Sequence, residues 1–150
     1  MTHVFTTLDE VKAAIGQPLG PGAAVHVGQL HIDAFAAVTG DGQWIHTDPG
    51  RAATGPYGTT IAHGFLSLSL LPALGTSVYE FAFGSARINY GLNRVRFPSP
   101  VRVNSDLRAT VTVTDVTEGP TGATVTLRTV VDAGDPKPAC VAESLVLIVD

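Results

Sequence analysis

The stretch GFLSLSLLPAL, Gly64 to Leu74, decides how this chain folds. Phe65, Leu66, Leu68, Leu70, Leu71 and Leu74 point in nearly every helical direction. A helix that is apolar all round belongs inside a protein. At its length of roughly 16 Å it is too short to cross a bilayer. Ser67 and Ser69 can bond back to the preceding turn and need no functional reading. Pro72 has no N–H and is expected to kink or end the helix early. Such a helix needs covering on all sides, and the residues that follow supply the cover. Strand-like segments are expected at about 84–97, 101–116, 121–132 and 138–149. In the second, Leu107, Ala109, Val111 and Val113 alternate with Arg108, Thr110, Thr112 and Thr114, the two-residue period of a half-buried strand. EGPTG and AGDPKP supply the turns between the last strands. The expected class is α+β, an antiparallel sheet curled around the apolar helix at about 64–74.

Upstream of the helix the texture is mixed. TLDEVKAAIG reads as a short helix capped by Thr7 and ended by Gly16. AAVHVGQL reads as a strand. HIDAFAAVTG reads as a helix with Ile32, Phe35 and Val38 or Thr39 on one face, and Gly40 just past its end.

Composition narrows the function. The 150 residues are 45% hydrophobic and form one expected domain, 1–150, without repeats or a charged linker. Net charge is −4, and the nine Lys and Arg residues are spread thinly, so neither nucleic acid nor an anionic membrane is an expected partner. Cys140 stands alone in an apolar run, which argues against disulfides or a structural zinc site and for a buried small hydrophobe. His3, His26 and His31 do not cluster with Cys or acidic residues at ligand spacing, so no metal is expected. The N-terminus lacks the basic and apolar regions of a signal peptide, and the expected location is the cytoplasm.

Three places carry chemistry. In TGDGQWIHTDPGRAA, Thr39 to Ala53, Asp41 and His46 stand five apart. On a continuous helix that spacing puts them roughly 140° apart. Gly40 and Gly42 let the chain bend so that carboxylate and imidazole share one water, as an acid–base pair. The other reading is that Asp41 caps a turn and His46 lies on the surface. At His63-Gly64 the helix opens with a glycine whose N–H has no intrahelical partner and can hold a developing oxyanion. The plainer alternative is a helix start in which His63 bonds neighbouring backbone. In RINYGLNRVRFPSPV, Asn89, Tyr90 and Asn93 stud an apolar strand, either as outward polar positions or as an edge along which a long polar ligand lies.

Together these segments resemble the MaoC-like (R)-specific enoyl-CoA hydratases, including their nodulation-protein-N-like branch. FAAVTGDGQWIHTDPGRAA is similar to the hydratase motif, in which an aromatic residue precedes Gly-Asp-x-Asn-Pro-aliphatic-His, with Ala six residues after the His. Gly40-Asp41, Ile45-His46 and Ala52 stand in register. IAHGFLSLSLL resembles the opening of the family's central helix, and NRVRFPSPVRVNSDL the strand that follows. The likeness spans roughly 25–115. One departure is that Gln43-Trp44 replaces the family's Asn-Pro.

The resemblance implies a hot-dog fold and the reversible addition of water to a trans-2-enoyl thioester, giving an (R)-3-hydroxyacyl-CoA. Asp41, His46 and Gly64 are the implied catalytic residues. Gln43, Ala62, His63, Asn89, Tyr90 and Asn93 are the expected substrate contacts. The expected partners are an acyl-CoA or acyl-carrier-protein thioester and a second copy of the chain, in a homodimer with the site near the interface. No cofactor is implied, because CoA is part of the substrate. A hot-dog acyl-CoA thioesterase and a non-catalytic acyl-thioester-binding subunit are the alternatives.

Overall fold

The computed structural model describes residues 1–150. Its frame is an antiparallel sheet of long strands: β5 (Ala86–Arg96), β6 (Ser105–Gly119), β7 (Gly122–Asp132) and β8 (Cys140–Val149). The four expected strands are all present, in the spatial order β6-β7-β8-β5. Two short strands, β2 (Pro18–Leu19) and β3 (Val25–Val27), pair with the outer edge of β6. A separate parallel pair joins β1 (His3–Phe5) to β4 (Tyr79–Phe81).

The alternation in β6 has the consequence expected of it. Leu107, Ala109, Val111 and Val113 are all buried and form one continuous inner face. They divide between two cores. Leu107 and Ala109 join Val27, Ile32, Leu66, Leu74, Val131, Cys140 and Ala142. Val111 and Val113 join Phe5, Val11, Val78, Phe81, Val125, Leu127 and Ile148.

The apolar helix is present but broken. It comprises α5 (Gly64–Ser69) and α6 (Leu71–Gly75), joined at Leu70, whose carbonyl still accepts from Leu74 N–H at 2.9 Å. Pro72 removes a donor at the start of α6, so the axis is interrupted rather than ended. The helix is also not covered on all sides, which corrects the sequence expectation. Leu66 and Leu74 face the sheet, whereas Phe65 is 68% exposed and Leu68, Leu70 and Leu71 are only half-buried. One chain's sheet curls over one flank of the helix and leaves the other open.

The N-terminal elements are α1 (Leu8–Ala13) and α2 (Gln29–Thr39). Thr7 caps α1 by accepting from Glu10 N–H. Gly40 closes α2 with φ +76°, a left-handed turn that an L side chain rarely adopts. The buried face of α2 is Ile32 and Ala36 with Phe35 half-buried, while Val38 points to solvent. After Gly40 come α3 (Trp44–Thr47) and α4 (Pro49–Ala52), each a single turn. His46 therefore sits on a helical turn, and only Asp41 and its neighbours form an open loop.

Candidate active site

The site is built from the end of α2, the turn α3 and the start of α5. His46 is 6% exposed. Its Nδ1 lies 2.6 Å from the Ile61 carbonyl, and because a carbonyl only accepts, Nδ1 carries the proton. That bond leaves Nε2 as the bare, basic nitrogen. The backbone behind His46 is also fixed. Gln29 Nε2 donates to the His46 carbonyl at 2.7 Å, and Thr60 Oγ1 donates to Gln29 Oε1 at 2.6 Å. Segment 60–62 is tied down in turn: Ile61 N–H donates to Ile45 O, Ala62 N–H to Val101 O, and Val103 N–H to Thr60 O.

Asp41 is exposed, and its carboxylate makes no hydrogen bond or ion pair within the chain. One ligand-capable atom from each of Asp41, His46 and His63 lies within 4.8 Å of the others. A span of that size fits one water bonded on two sides at about 2.8 Å. The bend at Gly40 and Gly42 thus does what the spacing alone left open.

His63 is 3% exposed and stacks on His46, with ring centroids 3.8 Å apart and planes at 24°. Phe35 also packs against it, with ring centroids 5.0 Å apart. Its Nε2 donates to the Asp41 main-chain carbonyl at 2.8 Å, and its Nδ1 is buried with no partner. Two histidines and a carboxylate are a common ligand set for a metal. Here, however, imidazole lone pairs lie in the ring planes, and two stacked, near-parallel planes do not converge on one ion about 2.1 Å from each. The arrangement suits water held between a carboxylate and a bare imidazole nitrogen.

Gly64 is the first residue of α5, and its N–H donates to no group of the chain. A Cβ added there would lie 2.8 Å from the Phe97 ring, so glycine is what lets that ring close over the helix start. Further along the helix, from Leu68 to Thr76, a cavity of about 850 Å³ opens between α5–α6 and the inner face of β5 and β8, and Asp41, His46, His63 and Gly64 are not part of its lining. Leu68, Leu71, Tyr79, Asn89 and Leu145 line it. Leu68 is one turn beyond Gly64 on the same helix face. Burial pushes the Tyr79 phenol up from its ordinary value, so it faces the cavity protonated.

The expected site residues separate into groups. Asp41, His46, His63 and Gly64 are gathered at one place. Ala62 is buried beneath them as a backbone tie. Gln43 precedes α3 without a side-chain capping bond. Trp44 opens the turn, with Arg51 over its ring at 4.4 Å and Gly55 against its edge, which stiffens the stretch where the resemblance has Asn-Pro. Asn89 lines the cavity. Tyr90, its neighbour, takes no part in that lining and is exposed, and Asn93 donates to Glu143 across the sheet. Gln29 and Thr60 were not singled out from sequence. They act on backbone brought near only by folding, and no local pattern announces them.

The strand order and the interrupted central helix, with Asp41 and His46 gathered beside the start of α5, are those of a hot-dog protein of the hydratase and dehydratase class. Residues 10–134 match the MaoC like domain, and the chain belongs to that family. It is 49% identical over 147 residues to 3-hydroxyacyl-thioester dehydratase Z of Mycobacterium tuberculosis, covering 96% of this chain and 97% of that one. It is 49% identical over 107 residues to nodulation protein N of Rhizobium leguminosarum bv. viciae, covering 68% and 65%. Among solved structures, the (R)-hydratase from A. caviae involved in PHA biosynthesis superposes with TM-score 0.64 at 31% identity, covering 89% of this chain and 99% of that one. No helix is long and apolar enough to cross a membrane.

Proposed function

We propose that the chain catalyses the reversible hydration of trans-2-enoyl thioesters to (R)-3-hydroxyacyl thioesters. The observation that carries this is the grouping of Asp41 with His46, whose Nδ1 is committed to the Ile61 carbonyl and whose Nε2 has no partner in the chain. A water held between the two loses a proton to this pair as its oxygen bonds to C3 of the enoyl group. The pair returns a proton to C2, so one O–H bond and the C2–C3 π bond are exchanged for new C–O and C–H bonds and the thioester is kept. The Gly64 N–H holds the thioester oxygen while enolate charge develops there. Run backwards, the same steps dehydrate a 3-hydroxyacyl thioester, the reaction in the name of the M. tuberculosis relative.

The acyl chain runs from Gly64 past Leu68 into the cavity. Its volume of about 850 Å³ lies in the upper part of the 300–1,000 Å³ that enclose drug-sized ligands, so chains well beyond four carbons fit. Two copies pair through the free edge of β5, where nine of eleven residues are exposed, and the pairing covers Ile88 and Tyr90. The thioester is delivered on CoA or on an acyl-carrier protein. The test is turnover of enoyl-CoAs of increasing length, read as loss of the conjugated absorbance. Activity that holds or rises beyond four carbons is expected, and activity confined to four carbons would remove the cavity from the acyl path.

A further inference from the structure

We propose that His63 is the positioning residue of the water-activating pair, one ring that holds Asp41 by its main-chain carbonyl and His46 by its face. The proposal rests on the hydratase reading of the same site. Its starting point is how little else holds Asp41. Gly40 and Gly42 flank it, and a Cβ added at either would meet nothing within 4 Å, so the loop stands in open space at both positions. The bonds within the loop are local: Asp41 N–H to Thr39 Oγ1 at 3.4 Å, and Thr47 Oγ1 to the Gly42 carbonyl at 3.1 Å. The bond from His63 Nε2 to the Asp41 carbonyl, at 2.8 Å, is the hydrogen bond that ties Asp41 to a distant part of the chain.

His63 is itself immobile. Its ring packs against both Phe35 and His46, and its carbonyl accepts from Leu66 N–H at 3.0 Å and Ser67 N–H at 3.2 Å, which fixes it to the start of α5. The next residue, Gly64, carries the free N–H. A single residue thus links the Asp41 loop, the His46 ring and the thioester-holding donor.

The protonation pattern says the same. A carbonyl partner requires the proton on Nε2, which leaves Nδ1 bare, buried and unpaired. An unpaired buried acceptor is unfavourable, and an apolar ring at this position would avoid it. What the imidazole supplies in return is the Nε2–H donor. At 3% exposure the ring has no face left for substrate, so the structure assigns it a place behind the site and not among the substrate contacts.

Three variants separate the two duties. His63→Phe keeps the stack and loses the donor, His63→Gln keeps a donor nitrogen and loses the aromatic face, and His63→Ala loses both. With a trans-2-enoyl-CoA, His63→Ala is expected to lower kcat about ten- to a hundredfold with KM within about threefold, and the other two to fall between. In an Asp41→Asn background His63→Phe should cost less than about twofold further, because the group it positions no longer functions. Amide exchange across 39–47 should quicken in His63→Phe relative to the unmodified chain, a readout that needs no turnover. An inactive parent enzyme would remove the hydratase reading, and the exchange result would still decide whether His63 holds the loop. His63→Phe with unchanged kcat and unchanged exchange would overturn the proposal. So would a rise in KM alone, the mark of a substrate contact.

Discussion

Two residues stand at the centre of the proposed chemistry, and their environments are opposite. His46 is locked by Ile61, Gln29 and His63, while the Asp41 carboxylate is exposed and unpaired. Asp41→Asn and His46→Gln are each expected to fold normally and to lower turnover by about 10²–10⁴. The double variant should lose little more than either single, since both act on one water. Steady-state kinetics on proteins with matching far-UV spectra check this, and a single variant keeping more than about a third of turnover would remove that residue from the pair. Cys140 offers a pH test of the core. Burial pushes its thiol up from 9.0 to about 11. The unfolded chain then releases this proton at lower pH than the folded one, so stability is full below about pH 9 and declines towards pH 11. Denaturation midpoints across that window should fall less steeply in Cys140→Ala, and equal slopes would contradict the assignment. At this scale spacing alone left Asp41, His46 and Gly64 open to plainer readings; their combination and the family resemblance made them candidates, and the fold brings them to one place. Gln29, Thr60 and the stacking of His63 were not legible, because each acts through a contact that only the fold creates.

The elements show where periodicity suffices as a guide. β5, β7 and β8 were readable to within two residues of their ends, whereas β6, expected at about 101–116, runs Ser105–Gly119, its alternation marking the buried face better than the ends. The central helix was readable as apolar but not as half-open, since hydrophobicity says what needs covering and not which chain covers it. On α2, Ala36 rather than Val38 turned inward, a difference of about half a turn that spacing leaves open. The opening of α5 gives a test of the oxyanion donor. Gly64→Ala adds a Cβ against Phe97 and keeps the N–H, whereas Gly64→Pro adds the ring and removes it. In a Phe97→Ala background, which makes room for both, the proline variant should turn over about 10²–10³ slower than the alanine variant, a loss of ~3 kcal/mol of transition-state stabilisation. Equal rates would take Gly64 out of the mechanism. The β7 start is a second sensitive point. Gly122 has φ +139°, and a Cβ there would lie 2.0 Å from the Ile148 carbonyl, so Gly122→Ala should destabilise the fold by about 3 kcal/mol or more. Thermal melts read this directly, and an unchanged Tm would contradict the register of β7 against β8.

Across the whole molecule the open features fall together. The uncovered flank of α5–α6, the cavity and the bare edge of β5 all lie on one side, as expected of a half that pairs with its copy. A dimer of about 31 kDa, twice the 15.6 kDa chain, is expected to persist on dilution. Ile88→Lys should weaken it and lower activity with it, by light scattering and kinetics on the same samples. A fully active monomer would separate the site from the pairing. The central claim, that Asp41 and His46 add water across an enoyl thioester, is tested most directly by incubating the protein with crotonyl-CoA and longer enoyl-CoAs and analysing the product. Loss of the conjugated absorbance with formation of (R)-3-hydroxyacyl-CoA, abolished in Asp41→Asn, is the result expected. Release of free thiol without hydration, or tight binding without turnover, would contradict it.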